Sequence, residues 1–190
     1  LELVLQLRPV DEVVHVALLD VGHEPIAAAA LGFVAAAEHD FLTNAPSEIG
    51  ACREFVLIPM LASNEQLADW LSASAGAPFG ISFDTGMNRL GFLPAEAESM
   101  GNLRASGLCH VMTHLACADD PQHPMNARQL ESFQRVAARF SGIESSLANS
   151  AGIFLGGACH FSVTRPGIAL YGGEAVNGVA NPMDPVALLE

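Results

Sequence analysis

Lysine is absent from this chain of 190 residues. The eight basic residues are all arginines, and the chain has 21 Asp and Glu residues, so that the formal net charge is −13. No basic run or patch exists that could follow a nucleic-acid backbone or an anionic lipid surface. The composition therefore argues against nucleic-acid and membrane-surface partners, and no side chain offers a primary amine for covalent chemistry.

Long apolar runs and paired cysteines are missing as well. The longest apolar stretch, Ile26–Ala37, is shorter than the roughly 20 residues that cross a bilayer, and it lies too far inside the chain for a signal peptide. The four cysteines show neither CxxC spacing nor the clustering of a disulfide framework; they are Cys52, Cys109, Cys117 and Cys159. This pattern favours free thiols in a cytoplasmic protein.

What the chain does contain is enough apolar material for one buried core. Hydrophobic residues make up 51% of the sequence, and a domain of this length buries most of its apolar surface. The first residue is Leu1, and the last, Glu190, follows the apolar run Val186–Leu189, which looks like a strand cut short. We therefore expect a fragment of a longer protein.

Short apolar runs alternate along the chain with stretches of helical pattern. Ser63–Gln66 has the sequence of a capping box that opens a helix through Trp70, and Pro94 is typical of a helix start. In Asn126–Phe140, apolar residues form one stripe at helical spacing: Leu130, Phe133, Val136, Ala137 and Phe140. Seven runs have strand character: Val13–Leu19, Asp40–Thr43, Phe55–Met60, Phe79–Phe83, Leu108–His114, Ser145–Ala148 and Gly167–Tyr171.

This alternation predicts parallel strands joined by crossover helices, in a doubly wound sheet or a (β/α)8 barrel. The first βα turn, Val21–Glu24, lacks the GxGxxG fingerprint of dinucleotide-binding sheets. We therefore predict an α/β fold, a TIM-type (β/α)8 barrel with seven or eight parallel strands, complete or incomplete; Leu3–Leu7 is a weak candidate for the eighth. The Gly/Asn/Pro-rich segment Gly172–Pro185 indicates a boundary, with a barrel domain at 1–175 and the start of a second domain at 176–190.

In a barrel, the loops that follow the strands share one face, and sites are built there. Arg89 lies in a glycine-bounded loop after the fourth strand, where its guanidinium fork can bind an anionic or phenolic ligand; a salt bridge to Asp84 is an equal alternative. His114 ends the fifth strand. Its neutral imidazole can orient or stack on a ring, although a structural role is common for such a histidine.

Two further loops carry candidate anion-binding groups. Asn149 and Ser150 open a turn of small residues that offers a hydroxyl and backbone N–H groups to an anion, and an ordinary helix cap fits the same sequence. Arg165 stands on stiff extended backbone before Pro166, where it could instead form a salt bridge that closes the barrel.

A metal site is the alternative that these loops also allow. His110 and His114 are four residues apart and would share one face of a strand. The chain has neither an HxH nor an HExxH motif, so this alternative has no recognised ligand pattern behind it. Further candidate ligands are Asp119, Asp120, His123, Cys159 and His160.

Four strings, in the right order, closely resemble alanine racemases, which depend on pyridoxal phosphate (PLP). They are DTGMNRLGF at 84–92, MTHLACADD at 112–120, LANSAG at 147–152 and RPGIALYGG at 165–173. The stretch 40–53 agrees more faintly. The resemblance implies a fold-type III (β/α)8 barrel followed by a β-rich C-terminal domain, in a cytoplasmic homodimer that interconverts L- and D-alanine and supplies D-alanine for peptidoglycan.

The resemblance also implies a role for each matching residue at the cofactor ring. Arg89 would hydrogen-bond the phenolic oxygen of the cofactor and lie near the substrate carboxylate, and His114 would stack on the pyridine ring. Arg165 would face the pyridine nitrogen. Because arginine keeps its proton, that nitrogen would stay unprotonated, and the ring would be a weaker electron sink.

At the other end of the cofactor, the resemblance implies a phosphate site. Ser150, with the backbone of Gly167 and Ile168, would hold the phosphate beside Asn149. These residues form part of the strings LANSAG and RPGIALYGG, which match the family without interruption.

The departures from the family concentrate in its first catalytic strand. That strand reads like VVKADAYGHG, in which the lysine forms the Schiff base and the tyrosine reaches the phosphate, whereas residues 13–24 here read VVHVALLDVGHE. Alignment on Gly22-His23 places Ala17 at the lysine position and Val21 at the tyrosine position. Alignment on Val13-Val14 places His15 there instead. Ser82 stands where many members have a lysine that positions the arginine.

We therefore expect a chain that keeps the cofactor cradle and lacks the chemistry. The second catalytic base of the family, a tyrosine of the C-terminal domain, would lie beyond Glu190. PLP, if it binds, should bind non-covalently, and the chain should be inactive as a racemase. Two alternatives stay open: a non-catalytic barrel that binds PLP or a partner, and a metal-dependent barrel hydrolase.

Overall fold

The computed structural model describes residues 49–50, 52–53, 58–100 and 103–184. Five parallel strands pair in sequence order: β1 (Met60–Leu61), β2 (Phe79–Ser82), β3 (Leu108–Met112), β4 (Glu144–Asn149) and β5 (Val163–Arg165). Three α-helices are α1 (Asn64–Ala73), α2 (Pro124–Arg139) and α3 (Ser150–Ile153), and 3-10 helices span Pro94–Glu98, Leu103–Ser106, Gly157–Cys159 and Ile168–Tyr171. The arrangement is that of a partial (β/α) barrel, as predicted.

Some predictions lie outside the described residues. They are the strands Val13–Leu19 and Asp40–Thr43, the candidate eighth strand Leu3–Leu7, and the positions of Ala17, His15 and Val21. Of the predicted strand Phe55–Met60, the described part enters the sheet at Met60, where β1 begins.

The sheet has an apolar face that forms the core. Side chains alternate between the two faces of a strand, and Ile81, Val111 and Leu147 are each fully buried on the face that packs against the helices. From α2, Phe133 and Val136 join the same cluster. Two polar side chains of the strands, His110 and Ser146, are buried as well.

The predicted helix starts are confirmed with one change of partner. Ser63 caps α1 by accepting a hydrogen bond from the N–H of Gln66 at 3.2 Å. In a capping box, the Gln66 side chain would accept from the N–H of Ser63. Here it accepts from the N–H of the preceding residue, Ala62, at 2.7 Å. Pro94 opens a helix as predicted, although it is a short 3-10 helix.

The predicted last strand, Gly167–Tyr171, is wrong. Residues Ile168–Tyr171 form a 3-10 helix, and the strand lies earlier, at Val163–Arg165. Pro166 has no N–H to give to the ladder, so the strand ends before it. Gly172, at φ 73°, adopts the left-handed conformation that ends the helix. The apolar run IALY imitated a strand because short apolar runs fit either structure.

The buried stripe of α2 agrees with the predicted apolar stripe at three of its five positions. Phe133, Val136 and Phe140 are buried as expected, but Leu130 and Ala137 are half-buried. Two polar residues, Asn126 and Gln129, continue the buried line instead. The buried positions 126, 129, 133, 136 and 140 follow the spacing of three and four residues that a single helix face requires.

The loop that carries Arg89 is closed on itself beside the end of β2. Phe92 pairs with Phe83 in parallel, and its N–H and C=O bond to Ser82 and Asp84 at 2.9 Å each. Gly91 makes this return possible, since it has φ 129° and a Cβ there would lie 2.6 Å from the nitrogen of Asp84.

Candidate functional site

A cleft of about 420 Å³ lies at the carboxyl ends of β3, β4 and β5. Three polar groups that follow these strands border it: His114, the Asn149–Ser150 pair and Arg165. The rest of the border is mostly small or apolar, with Met87, Leu115, Ala116, Ala118, Asp119, Ala151, Pro166, Gly167, Ile168 and Ala175. Six of the seven predicted binding residues thus share one cleft.

Ser150 joins the ends of β4 and β5. It is buried, and its hydroxyl oxygen accepts hydrogen bonds from the N–H groups of Gly167 at 2.7 Å and Ala169 at 3.2 Å. A serine oxygen accepts two hydrogen bonds and donates one. With both acceptor positions used, the hydroxyl proton is the group that Ser150 can offer to a ligand.

Asn149 caps α3 and also contacts His114. Its side-chain oxygen accepts from the N–H of Gly152 at 2.9 Å, which is the helix cap that the sequence allowed. Its amide nitrogen lies 3.3 Å from Nε2 of His114. Because an amide nitrogen can only donate, a hydrogen bond at this contact has Nε2 of His114 as its acceptor.

Two of the groups that hold Arg165 lie on β4 and just after β3. One terminal nitrogen donates to the hydroxyl of Ser146, and the other donates to the carbonyl oxygen of Thr113 at 2.6 Å. These two hydrogen bonds position the guanidinium where it borders the cleft.

Arg89 does not border the cleft. Its side chain is exposed, and Met87 of the same loop lines the cleft instead. The Asp84 carboxylate caps the turn by accepting from the backbone N–H groups of Gly86, Asn88 and Arg89 at 2.9, 3.0 and 3.1 Å. Asp84 thus bonds the backbone of Arg89, and no ion pair to the Arg89 side chain occurs among the residues that the structure describes.

Two residues that the sequence analysis did not identify support the side chains and loops of this site. Gln129 is fully buried and bonds to the loops that carry Thr85 and His114, and Ser146 receives Arg165. The signal for Gln129 was available, since it falls on the buried stripe of α2. Ser146 gave no signal, because a serine within a strand reads like any small polar residue.

Asp119 is the acidic residue among the described residues that line the cleft. Its carboxylate accepts from the side-chain amide of Asn177 at 2.9 Å, and its carbonyl accepts from the Asn177 N–H at 2.8 Å. Asn177 therefore fastens the segment after β5 to the loop after β3. Val176 beside it packs into the core.

His110 lies in β3, four residues before His114, and is 1% exposed. Among the described residues its Nδ1 has no hydrogen-bond partner, and a carboxylate oxygen of Glu144 lies 4.0 Å away. Burial, with the positive charge of Arg165 as a second cause, lowers the pKa of His110 from 6.5 to about 4. His110 is therefore neutral at pH 7, and the Glu144 contact is not an ion pair there.

Acid should destabilise the fold through His110. The unfolded chain binds a proton at this residue near pH 6.5 and the folded chain near pH 4, so the free energy of unfolding falls as the pH drops from 6.5 to 4. The slope from one such group reaches about 1.4 kcal/mol per pH unit. Urea unfolding at several pH values measures it, and His110→Gln should remove this part of the slope.

The same titration contains its control. Above pH 7 both states hold a neutral His110, so the unmodified chain and His110→Gln should then show parallel pH dependence. Equal slopes for the two proteins between pH 4.5 and 6.5 would contradict the assignment.

Neither a metal cluster nor a membrane span occurs in the part of the chain that the structure describes. There, no group of three or more His, Cys, Asp and Glu side chains is placed to hold a metal ion. His160 bonds the carbonyl of Ile153 at 2.9 Å, and His123 caps α2. In the same residues, no helix combines the length and the apolar character needed to cross a membrane.

Comparisons with known proteins agree on one family. The model of the alanine racemase N-terminal domain matches residues 14–175. A biosynthetic alanine racemase of Agrobacterium fabrum is 56% identical over 142 residues, which are 70% of this chain and 36% of that protein. An alanine racemase of Rhizobium meliloti is 51% identical over 141 residues, covering 70% and 37%.

A solved structure extends the agreement to the fold. The alanine racemase of Bartonella henselae, with covalently bound pyridoxal phosphate, superposes with a TM-score of 0.62 at 34% identity, covering 70% of this chain and 42% of that one. The barrel prediction is therefore confirmed. The chain spans between a third and two fifths of the length of the two curated relatives described above.

Proposed function

This chain belongs to the alanine racemase family, and from that premise we propose that it is the cofactor-binding barrel of a protein whose reaction is the interconversion of L- and D-alanine. The observation that carries the proposal is the cleft in which Ser150, His114 and Arg165 meet. Residues 1–175 would form the barrel, and 176–190 would begin a β-rich domain. An alanine substrate, a homodimer, a cytoplasmic location and a role in peptidoglycan supply rest on family membership alone.

The chemistry of these groups supports a phosphate site at one end of the cleft. The Ser150 hydroxyl retains one proton to donate, and Ile168 is the first residue of the 3-10 helix beside it. The Gly167 N–H donates to the Ser150 oxygen, so it would have to change partner to bind a phosphate. The volume of about 420 Å³ falls in the usual range of roughly 300–1,000 Å³ for small-ligand sites. We therefore assign the phosphate of PLP to Ser150, Gly167 and Ile168, with Asn149 beside them.

The groups next to the phosphate end fit an aromatic ring. PLP, when bound, acts as an electron sink that acidifies the α-carbon of an amino acid. Arg165 is always protonated and is fixed by Ser146 and Thr113, so it can donate a hydrogen bond to a ring nitrogen without giving up its proton. His114, in contact with Asn149, offers the flat face of its imidazole to a ring.

Arg89 has the weakest support of the proposed binding residues. Its role would be a hydrogen bond to the phenolic oxygen and proximity to the substrate carboxylate. In the ligand-free chain, its guanidinium is exposed and off the cleft, while the backbone of its loop is fixed by Asp84. The role therefore requires the side chain to turn toward the cleft when a ligand is present.

The absence of lysine affects catalysis but not the groups proposed to bind the cofactor. Without an ε-amino group, the chain has no side chain that can form a Schiff base with the cofactor, so the proposal is non-covalent binding. The non-catalytic alternative, a barrel that binds PLP without turnover, describes the same chain. The hydrolase alternative has no metal cluster behind it in residues 49–50, 52–53, 58–100 and 103–184.

Titration with PLP tests this proposal. We expect weak, saturable binding, followed by the absorbance of the cofactor, and no covalent adduct after borohydride reduction. The chain has no lysine, so acetylation of the N-terminal amine removes the remaining primary amine and makes the reduction test specific. Ser150→Ala and pyridoxal without phosphate should each weaken binding, because both remove one side of the phosphate contact.

Two results would contradict the proposal. One is the absence of saturable binding to the folded chain. The other is a reduced adduct on the acetylated protein, which would place a covalent site where none is expected.

A further inference from the structure

One buried glutamine connects the two loops that border the candidate site. The Gln129 side-chain nitrogen donates to the hydroxyl oxygen of Thr85 at 3.1 Å and to the carbonyl oxygen of His114 at 2.9 Å. Its side-chain oxygen accepts from the N–H of Ala116 at 2.9 Å. Both protons of the amide and its oxygen are thus used, in a side chain with 0% exposure.

The first of these contacts reaches the loop that carries Arg89. Thr85 belongs to that loop, and Gly86 beside it lies against α2, where an added Cβ would meet Met125 at 3.2 Å and Gln129 at 3.6 Å. The loop therefore rests directly on the helix that supplies Gln129. Its distance from the helix is fixed by contact as well as by the hydrogen bond.

The other contacts reach the cleft. His114 and Ala116 both line it, and Gln129 holds the carbonyl of one and the N–H of the other. Thr85 continues the network, since its hydroxyl lies 2.8 Å from that of Thr113. The carbonyl of Thr113 in turn receives Arg165, so the network extends from α2 to the arginine of the cleft.

Removal of Gln129 breaks three hydrogen bonds at once. Gln129 itself is 0% exposed, whereas His114 is half-buried and Ala116 is exposed, so solvent can take up the His114 carbonyl and the Ala116 N–H separately. The two loops then lose the side chain that joins them.

We propose that Gln129 is a positioning residue that ties the loop carrying Arg89 to the loop carrying His114, and so sets the shape of the cleft. Its effect on a ligand rests on the proposed function, since PLP is the ligand that would report it. The tie itself is a property of the ligand-free chain and is testable there.

Amide hydrogen exchange measures the tie residue by residue. Gln129→Met keeps the volume of the side chain and loses every hydrogen bond. We expect at least tenfold faster exchange at Ala116, whose N–H loses its acceptor, and at Asn88 and Arg89 in the tied loop. The Phe83 N–H, bonded to Met112 at 2.7 Å within the sheet, should exchange at its original rate.

Thr85 variants test one arm of the tie and remain informative if Gln129→Met does not fold. Thr85→Val removes the hydroxyl, so Asn88 and Arg89 should exchange faster while Ala116 stays protected by Gln129. Thr85→Ser restores the hydroxyl and should return exchange to the original rate. Unchanged exchange at Asn88 and Arg89 in both Thr85→Val and Gln129→Met would overturn the proposal.

Binding of PLP separates positioning from general stability. Gln129→Met should lose about tenfold in affinity, which corresponds to about 1.4 kcal/mol. Val136→Ala, on the same helix and buried in the core, is the control for lost stability, and Gln134→Met, exposed on that helix, is the control for the substitution; both should stay within twofold. An equal loss in Val136→Ala would overturn the positioning role.

The two proposals fail in different ways. If the unmodified chain does not bind PLP, the proposed function is wrong, and the exchange rates still decide whether Gln129 ties the loops. If the chain binds PLP and Gln129→Met changes neither affinity nor exchange, the tie is wrong and the proposed function stands.

Discussion

The unmodified chain should racemise alanine no faster than a buffer that contains the same concentration of PLP. Racemisation needs a base on each face of the α-carbon, and each positioned acid–base group contributes about 10²–10⁴-fold. The chain has no lysine, and the tyrosine that serves as the family's second base is not among its matching strings. Conversion of L- to D-alanine, followed by chiral chromatography, measures the rate.

Two variants decide which residue stands at the lysine position. Ala17→Lys should give a covalent PLP adduct after borohydride reduction if the alignment on Gly22-His23 is correct, and His15→Lys should do so if the alignment on Val13-Val14 is correct. Racemisation should stay near background in both, because each variant supplies one base and the reaction needs one on each face of the α-carbon. Residues 15 and 17 lie outside the described residues, so the adduct test is what decides between the two alignments.

Turnover by the unmodified chain would contradict this prediction. The catalytic groups would then have been assigned to the wrong residues. His114, which borders the cleft, and His15 would be the first to replace by alanine, since histidine is the side chain that most readily exchanges protons near neutral pH.

Replacement of Arg165 by glutamate should both destabilise the fold and abolish measurable PLP binding. The change removes the hydrogen bond to the Thr113 carbonyl and sets a carboxylate against that oxygen. Loss of a charged partner at a half-buried position costs about 2–4 kcal/mol. Urea unfolding, followed by the fluorescence of the buried Trp70, measures the stability, and the PLP titration measures the affinity.

A surface arginine provides the matched control. Arg135 pairs with Glu131 at 2.7 Å, and both side chains are mostly exposed. Arg135→Glu makes the same change of charge and should cost less than about 1 kcal/mol, with PLP affinity unchanged. If the two variants lose equal stability, the contacts of Arg165 with Ser146 and Thr113 do not carry the weight that we assign to them.

His110 offers an independent check on the same variant. The Arg165 charge is one cause of its lowered pKa, so Arg165→Glu should raise that pKa. The destabilisation by acid between pH 6.5 and 4 should then become shallower, because the folded and unfolded states would bind the proton at more similar pH values.

The sequence by itself determined the parallel β/α arrangement and, through its resemblance to one family, most of the cleft. It predicts strands that end at His114 and just before Asn149–Ser150, and parallel strands bring their carboxyl ends to one edge. It places Arg165 before the predicted strand Gly167–Tyr171, whereas Arg165 is the last residue of β5. Local patterns also determined the start of α1, since the Ser63 cap depends on neighbours within one helical turn. Such features need no knowledge of distant contacts.

Only the tertiary structure decided where Arg89 lies, what holds Arg165 and what Gln129 does. Arg89 comes seven residues after Ser82, the last residue of β2, yet its loop folds back through Gly91 and leaves the side chain outside the cleft. Gln129 bonds to Thr85 across 44 positions of sequence. Such a hydrogen bond depends on which loops lie next to each other in the folded chain, and no local periodicity predicts that. The sequence therefore indicated an apolar stripe on α2 but gave no sign that Gln129 bonds to two loops.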